Sequence, residues 1–353
     1  SNQTGLTIDN VDPEITMGYS NDTSLDDPPS IGKGGDVISV TASWNENIDL
    51  TVQPQLTATY ANDSTDVQNY DVIDGNNWTY KFTLPTGSDV DGLIAFTSSG
   101  SDSANNSEFT YINSNTFLID NTAPIVTGVT PSDSSFVNSF LIGYKITDVN
   151  GILDSANISF RAISGPGEDF SVDLVDAELD TVNQSVDSLA NQSTIHSNLS
   201  DSTLYRMIFT TIDSAGNFGS DTVNQVSYDI SAPYASLSFN RKYASEGTVV
   251  TATATFSEHM IETPEIILYF GPDTNSSIQG QMAATEQPEV WTYDFSAPED
   301  IANDGMVRVW FNTAVTMDRA QNQLRSPPEL VGADSVLYAD TLYIENIVPQ
   351  ATF

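Results

Sequence analysis

"FLIDNTAPIVTG" spans residues 117–128, and the fold turns on how this stretch is read. An apolar run gives way to Asp120-Asn121, small polar residues and Pro124, and then a second apolar run begins. Such punctuation marks either a turn within one sheet or a seam between two folded bodies. It recurs. "LTIDNVDPEIT" carries Asp9, Asn10 and Pro13; "VSYDISAPYAS" carries Asp229 and Pro233; "LYIENIVPQAT" carries Glu345, Asn346 and Pro349. Prolines 13, 124, 233 and 349 are therefore separated by 111, 109 and 116 residues. A period near 110 residues suits one small β-sandwich per repeat. The expected units are residues 1–119, 120–228 and 229–344, with 345–353 as the start of a further repeat or a terminal strand. On this reading the chain is a segment of a longer repetitive protein.

Within the repeats, strand patterns dominate. In "VISVTASW", Ile38, Val40, Ala42 and Trp44 alternate with Ser and Thr, and in "VVTATATF" Val250, Ala252, Ala254 and Phe256 do the same. Period-two alternation predicts one buried and one wet face. A second shared block pairs "WTYKFTLP" (78–85) with "WTYDFSAP" (291–298), each followed six residues later by Asp-Gly, Asp91-Gly92 and Asp304-Gly305. Its alternating aromatics read as core residues rather than ligand platforms. The middle repeat diverges. It offers "FLIGYKITDVNGI", with Phe140, Ile142, Tyr144 and Ile146 facing inward, and a polar stretch at 173–202 that reads as a long loop or weak hairpin.

One element is common to all three repeats: Asp-x-Ala-x-Asn. It occurs as "DSANN" (Asp102, Ala104, Asn106), "DSAGN" (Asp213, Ala215, Asn217) and "DRAQN" (Asp318, Ala320, Asn322). Asp and Asn both bond nearby backbone and tolerate left-handed conformations, so the motif reads as a turn. A rigid turn can also present oxygens to a metal.

The 48 acidic and 10 basic residues give a formal net charge of −38. Such a chain repels nucleic acid and anionic membrane surfaces and attracts cations. The absence of cysteine excludes disulfides, thiolate metal sites and cysteine nucleophiles. No apolar run approaches the roughly 18–20 residues that span a bilayer. The polar first residues are not a signal peptide, so any leader or anchor is expected outside this segment. Ten N-x-Ser/Thr sequons occur, at Asn2, Asn21, Asn62, Asn77, Asn105, Asn157, Asn183, Asn191, Asn198 and Asn275. They fit a glycosylated exterior or simply a polar Asn/Ser/Thr-rich surface.

The pairing of Asp-x-Ala-x-Asn with a following "DNTAP" resembles the bacterial Ig-like domains of large surface adhesins, with similar modules in surface-layer-type proteins. The resemblance covers the chain three times over. It implies an all-β fold of three tandem Ig-like antiparallel β-sandwich domains in an extended array, located extracellularly at the cell surface. It also implies calcium near the junctions, stiffening the rod. Calcium takes six to eight oxygen ligands, and the candidates are Asp9, Asp120, Asp229, Asp102, Asn106, Asp213, Asn217, Asp318, Glu46 and Glu258. "DSAGN" is the fullest form; Asn105 and Gln321 stand where the glycine usually falls. If that position is left-handed, Asn is tolerated and Gln is strained.

An enzyme is disfavoured: His196 and His259 lie among polar residues with no partner motif. The expected role is a non-enzymatic structural module of a stalk, surface layer or filament, whose partners are neighbouring repeats or further copies. The alternative is a carbohydrate- or protein-binding adhesin domain recognising glycans or host proteins through residues 173–202.

Overall fold

A computed structural model describes residues 8–21, 30–107, 109–111, 116–149, 153–174, 185–186, 192–272, 276–325 and 341–347. The fold is nearly all β, arranged in several small sheets, as an all-β sandwich requires. Among the described residues no strand pairing crosses residue 120 or 229. The last paired strands before the three seams end at Ile119, Tyr228 and Ile344.

Each repeat has its own buried cluster. The first is built on Ile38, Val40, Ala42, Trp78, Tyr80 and Phe82, the second on Phe140, Tyr144, Phe160, Tyr205 and Phe209, the third on Val250, Ala254, Leu268 and Phe270. The alternating runs account for this directly. Val37–Trp44 pairs on one side with Glu14–Asn21 and on the other with Asn77–Thr83, so the inward residues of three strands stack in one layer. Val249–Phe256 sits in the same way between Ala235–Phe239 and Val290–Ser296. In the first repeat the facing layer is Thr65–Asn69, Gln55–Thr59 and Ala95–Ser98; in the third it is Ser276–Gln281, Glu265–Phe270 and Arg308–Phe311.

Three expectations need adjustment. The sheets are not purely antiparallel, because each repeat carries a short parallel pair near its end, Leu118–Ile119 with Ile31–Gly32, Ser135–Val137 with Phe218–Tyr228, and Tyr343–Ile344 with Tyr243–Ala244. Trp291 and Tyr293 are only half-buried, unlike Trp78 and Tyr80. There the strand Ser276–Gln281 of the facing layer comes so close at Gly280 that an added Cβ would stand 2.5 Å from the Tyr293 ring. Finally, the 173–202 stretch is not all loop. Ser185–Val186 pairs with Gly143–Thr147, and Gln192–Asn198 is a short helix whose Ile195 is fully buried in the second core. Residues 175–184 and 187–191 of that stretch lie outside the described residues. Among the described residues no helix is long and apolar enough to cross a membrane.

Candidate metal centres at the repeat seams

Each Asp-x-Ala-x-Asn segment folds into the same turn. The motif Asn backbone N–H donates to one oxygen of the motif Asp at 2.8 Å, in all three copies. The Asn side-chain amide donates to the other oxygen at 2.8, 2.9 and 2.9 Å. Closing the loop requires a left-handed residue at the fourth position: Asn105 has φ 74°, Gly216 81° and Gln321 70°. The same amide also reaches the backbone carbonyl of the linker acid at the start of its own repeat. Asn217 donates to Asp120 O at 2.8 Å and Asn322 to Asp229 O at 2.9 Å, whereas Asn106 stands 3.4 Å from Asp9 O.

The linkers repeat as well. One carboxylate oxygen of Asp9, Asp120 and Asp229 accepts the N–H two residues on, each at 3.0 Å, which is an Asx turn. A second acid, from a loop of the preceding repeat, clamps the linker. Asp91 accepts from the Asn121 N–H and the Thr122 hydroxyl, Asp201 from the Ile230 N–H and the Ser231 hydroxyl, and Asp304 from the Asn346 N–H.

These contacts gather the predicted acids into three sets, at Asp9, Glu46 and Asp102; at Asp120, Asp148 and Asp213; and at Asp229, Glu258 and Asp318. Within each set one carboxylate oxygen per residue lies within 4.8 Å of the others. Asn106 and Asn217 border their sets as amide donors that hold the turn. Asp148 was missed by the sequence reading, although the signal was present. Trp44, Ile146 and Phe256 occupy one register, opposite Ile15, Val126 and Ala235. Glu46, Asp148 and Glu258 each follow by two residues.

Electrostatics differ between the sets. Burial pushes the Asp120 carboxyl up to about 6, with the charges of Asp148, Asp213 and Asp91 adding to the effect. Burial also raises Asp213, despite its hydrogen bonds from Asn217. Glu258 is pushed up to about 7 by burial and by the charges of Asp229 and Asp318; Asp229 is raised as well, first by burial. Glu46 is raised by burial and by Asp102 and Asp9. For Asp102 burial acts upward, but hydrogen bonds from Asn106, Ala104 and Asn105 prevail and hold it low. The donor sets are all oxygen, which suits hard cations such as calcium rather than zinc. The fit is best at the second set: Asp120 is fully buried and its Oδ2 has no hydrogen-bond partner.

The remaining candidates are dispersed. The side chains of Asn62, Asn77, Asn105 and Asn198 are exposed and Asn157 is half-buried; Asn2, Asn183, Asn191, Asn275 and the side chain of Asn21 lie outside the described residues. His196 reaches the Phe140 carbonyl at 3.2 Å, and His259 is half-buried in the turn beside Glu258.

No protein-family model and no curated protein matches the chain. Among solved structures, one from a bacterial ice-binding adhesin aligns with a TM-score of 0.35 and 15 % identity, over 88 % of this chain and 94 % of that one. A marsupial T cell receptor gives 0.25 and 8 %, over 83 % and 95 %. Alpha-2-macroglobulin from E. coli gives 0.21 and 10 %, over 85 % and 21 %. These TM-scores are too low to assign a function, so the functional reading rests on the internal repeat and its acidic sets.

Proposed function

We propose that the chain is an extracellular structural array of three tandem Ig-like sandwiches, residues 1–119, 120–228 and 229–344, stiffened by calcium at the seams of a cell-surface stalk, layer or filament. The observation that carries this reading is the threefold repetition of one construction. A linker acid, an early-loop acid and a motif Asp converge at the start of each repeat, and the motif Asn of the second and third bonds the linker backbone. A hinge restrained in this way loses backbone freedom, and a divalent cation among three carboxylates would offset their mutual repulsion. Its partners are neighbouring repeats of the same chain, or further copies.

Small-angle scattering with calcium and with chelator tests the proposal. Added calcium is expected to lengthen the maximum dimension and raise the thermal midpoint. Identical profiles and identical melting in the two conditions would remove calcium from the account and leave the sandwiches untouched. Ordered assemblies seen by negative-stain microscopy on calcium addition would mark a layer or filament; single rods would mark a stalk.

A further inference from the structure

Resting on the calcium reading above, we propose that the three acidic sets are not equivalent: Asp120, Asp148 and Asp213 form the tight cation site, and the Asp229–Glu258–Asp318 set is the calcium-regulated hinge. The first reason is enclosure. Asp120, Asp148 and Asp213 are 0 %, 7 % and 0 % exposed. In the other two sets only Asp102 and Asp318 are buried; Glu46, Asp229 and Glu258 are half-exposed and Asp9 is exposed. Charges enclosed by protein are screened far less by water and salt than exposed ones, so a cation entering this set gains most.

The second reason is an orphaned oxygen. Asp120 Oδ1 is committed to the Thr122 N–H, while its buried Oδ2 has no hydrogen-bond partner, and Asp120 belongs to the set that Asp148 and Asp213 complete. A buried acceptor left unpaired is costly, and a cation is the partner that three converging carboxylates select. The third reason is rigidity. All three acids have the short Asp arm, whereas each of the other sets relies on a Glu with one more rotatable bond. The Asn217 amide fixes the Asp120 carbonyl as Asn322 fixes that of Asp229, but here the Lys33 ammonium, from the preceding repeat, also donates to the Gly216 carbonyl of the turn. Affinity of oxygen-ligand sites follows charge count and rigidity. As calcium falls, the seam at Asp120 therefore stays fastened while the seam at Asp229 loosens.

Calorimetric titration of the chelator-stripped whole chain with calcium alone provides the test. One equivalent is expected to bind at least about tenfold tighter than the rest, within the wide affinity range such sites span. Asp148→Asn should abolish that step, and Glu258→Gln should leave it and remove a weaker one. Uniform affinities, or loss of the tight step in Glu258→Gln alone, would overturn the ranking and leave seam calcium standing. No binding at all would remove both. Crystals of the unsubstituted chain grown with one equivalent of terbium avoid any folding defect in a variant. Anomalous density among Asp120, Asp148 and Asp213 supports the ranking, density at Glu258 refutes it, and density at none of the three sets removes the cation reading too.

Discussion

Gln321 holds φ at 70° in a turn where its counterpart in the second repeat is Gly216. For an L-residue that conformation costs roughly 1–2 kcal/mol. Glycine escapes the strain but brings an unfolded-state entropy cost of about 0.5–1 kcal/mol. Gln321→Gly is therefore expected to stabilise the third repeat by roughly 0.5–1 kcal/mol, as an upward shift of its unfolding midpoint in a denaturant titration. Asn217 works in the opposite sense. Its amide serves both Asp213 Oδ2 and the Asp120 carbonyl, so Asn217→Ala leaves buried acceptors short of a donor. The expected loss is about 1–3 kcal/mol in chelator, read from the same titration. Both positions were legible in sequence because Asp-x-Ala-x-Asn recurs at constant phase. The linker clamp was only half legible: Asp91 and Asp304 stood out beside Gly, but Asp201 has no such neighbour and was found only through its bonds to Ile230 and Ser231.

At the scale of elements, the alternating strands behaved as their period required. Ile38, Val40 and Ala42 are fully buried, as are Val250, Ala252 and Ala254. Asp201→Ala is expected to free the second linker while leaving the strands paired, because the Ile230 N–H and Ser231 hydroxyl that it holds lie in the linker and no strand-pairing bond involves its side chain. Hydrogen exchange should show faster exchange at Ile230 and unchanged protection in Thr203–Asp213. The short helix at Gln192–Asn198 escaped sequence reading. Seven polar-rich residues carry almost no periodic signal, and its buried apolar anchor, Ile195, is held by a core that distant strands assemble.

Across the whole molecule, three separate cores predict three separable stabilities. Phe270 is 1 % exposed in the third cluster. Phe270→Ala should cost roughly 3–5 kcal/mol there and leave the other two calorimetric transitions in place. A single shifted transition would show the repeats to be thermodynamically fused. The seams set the pH response. Asp120 and Glu258 have folded-state carboxyls raised from 3.8 to about 6 and from 4.5 to about 7. The folded state then binds protons more tightly than the unfolded chain, so the contribution is full at low pH and is lost as pH rises through these folded values. In chelator the melting temperature should fall between about pH 4 and 7 on this account. Saturating calcium should flatten that fall, because a bound cation replaces the protons.

What the sequence by itself determined is everything carried by local period and recurrence. The two-residue alternation made strands, the 110-residue spacing set the number of repeats to expect, and the constant-phase Asp and Asn residues named most of the seam acids. Tertiary structure alone decided how those acids differ. Burial, an orphaned Asp120 oxygen and the company of Asp148 depend on how loops as far apart as Asp120 and Asp213, 93 residues along the chain, are brought to one pole, and no local pattern encodes a distance of that kind.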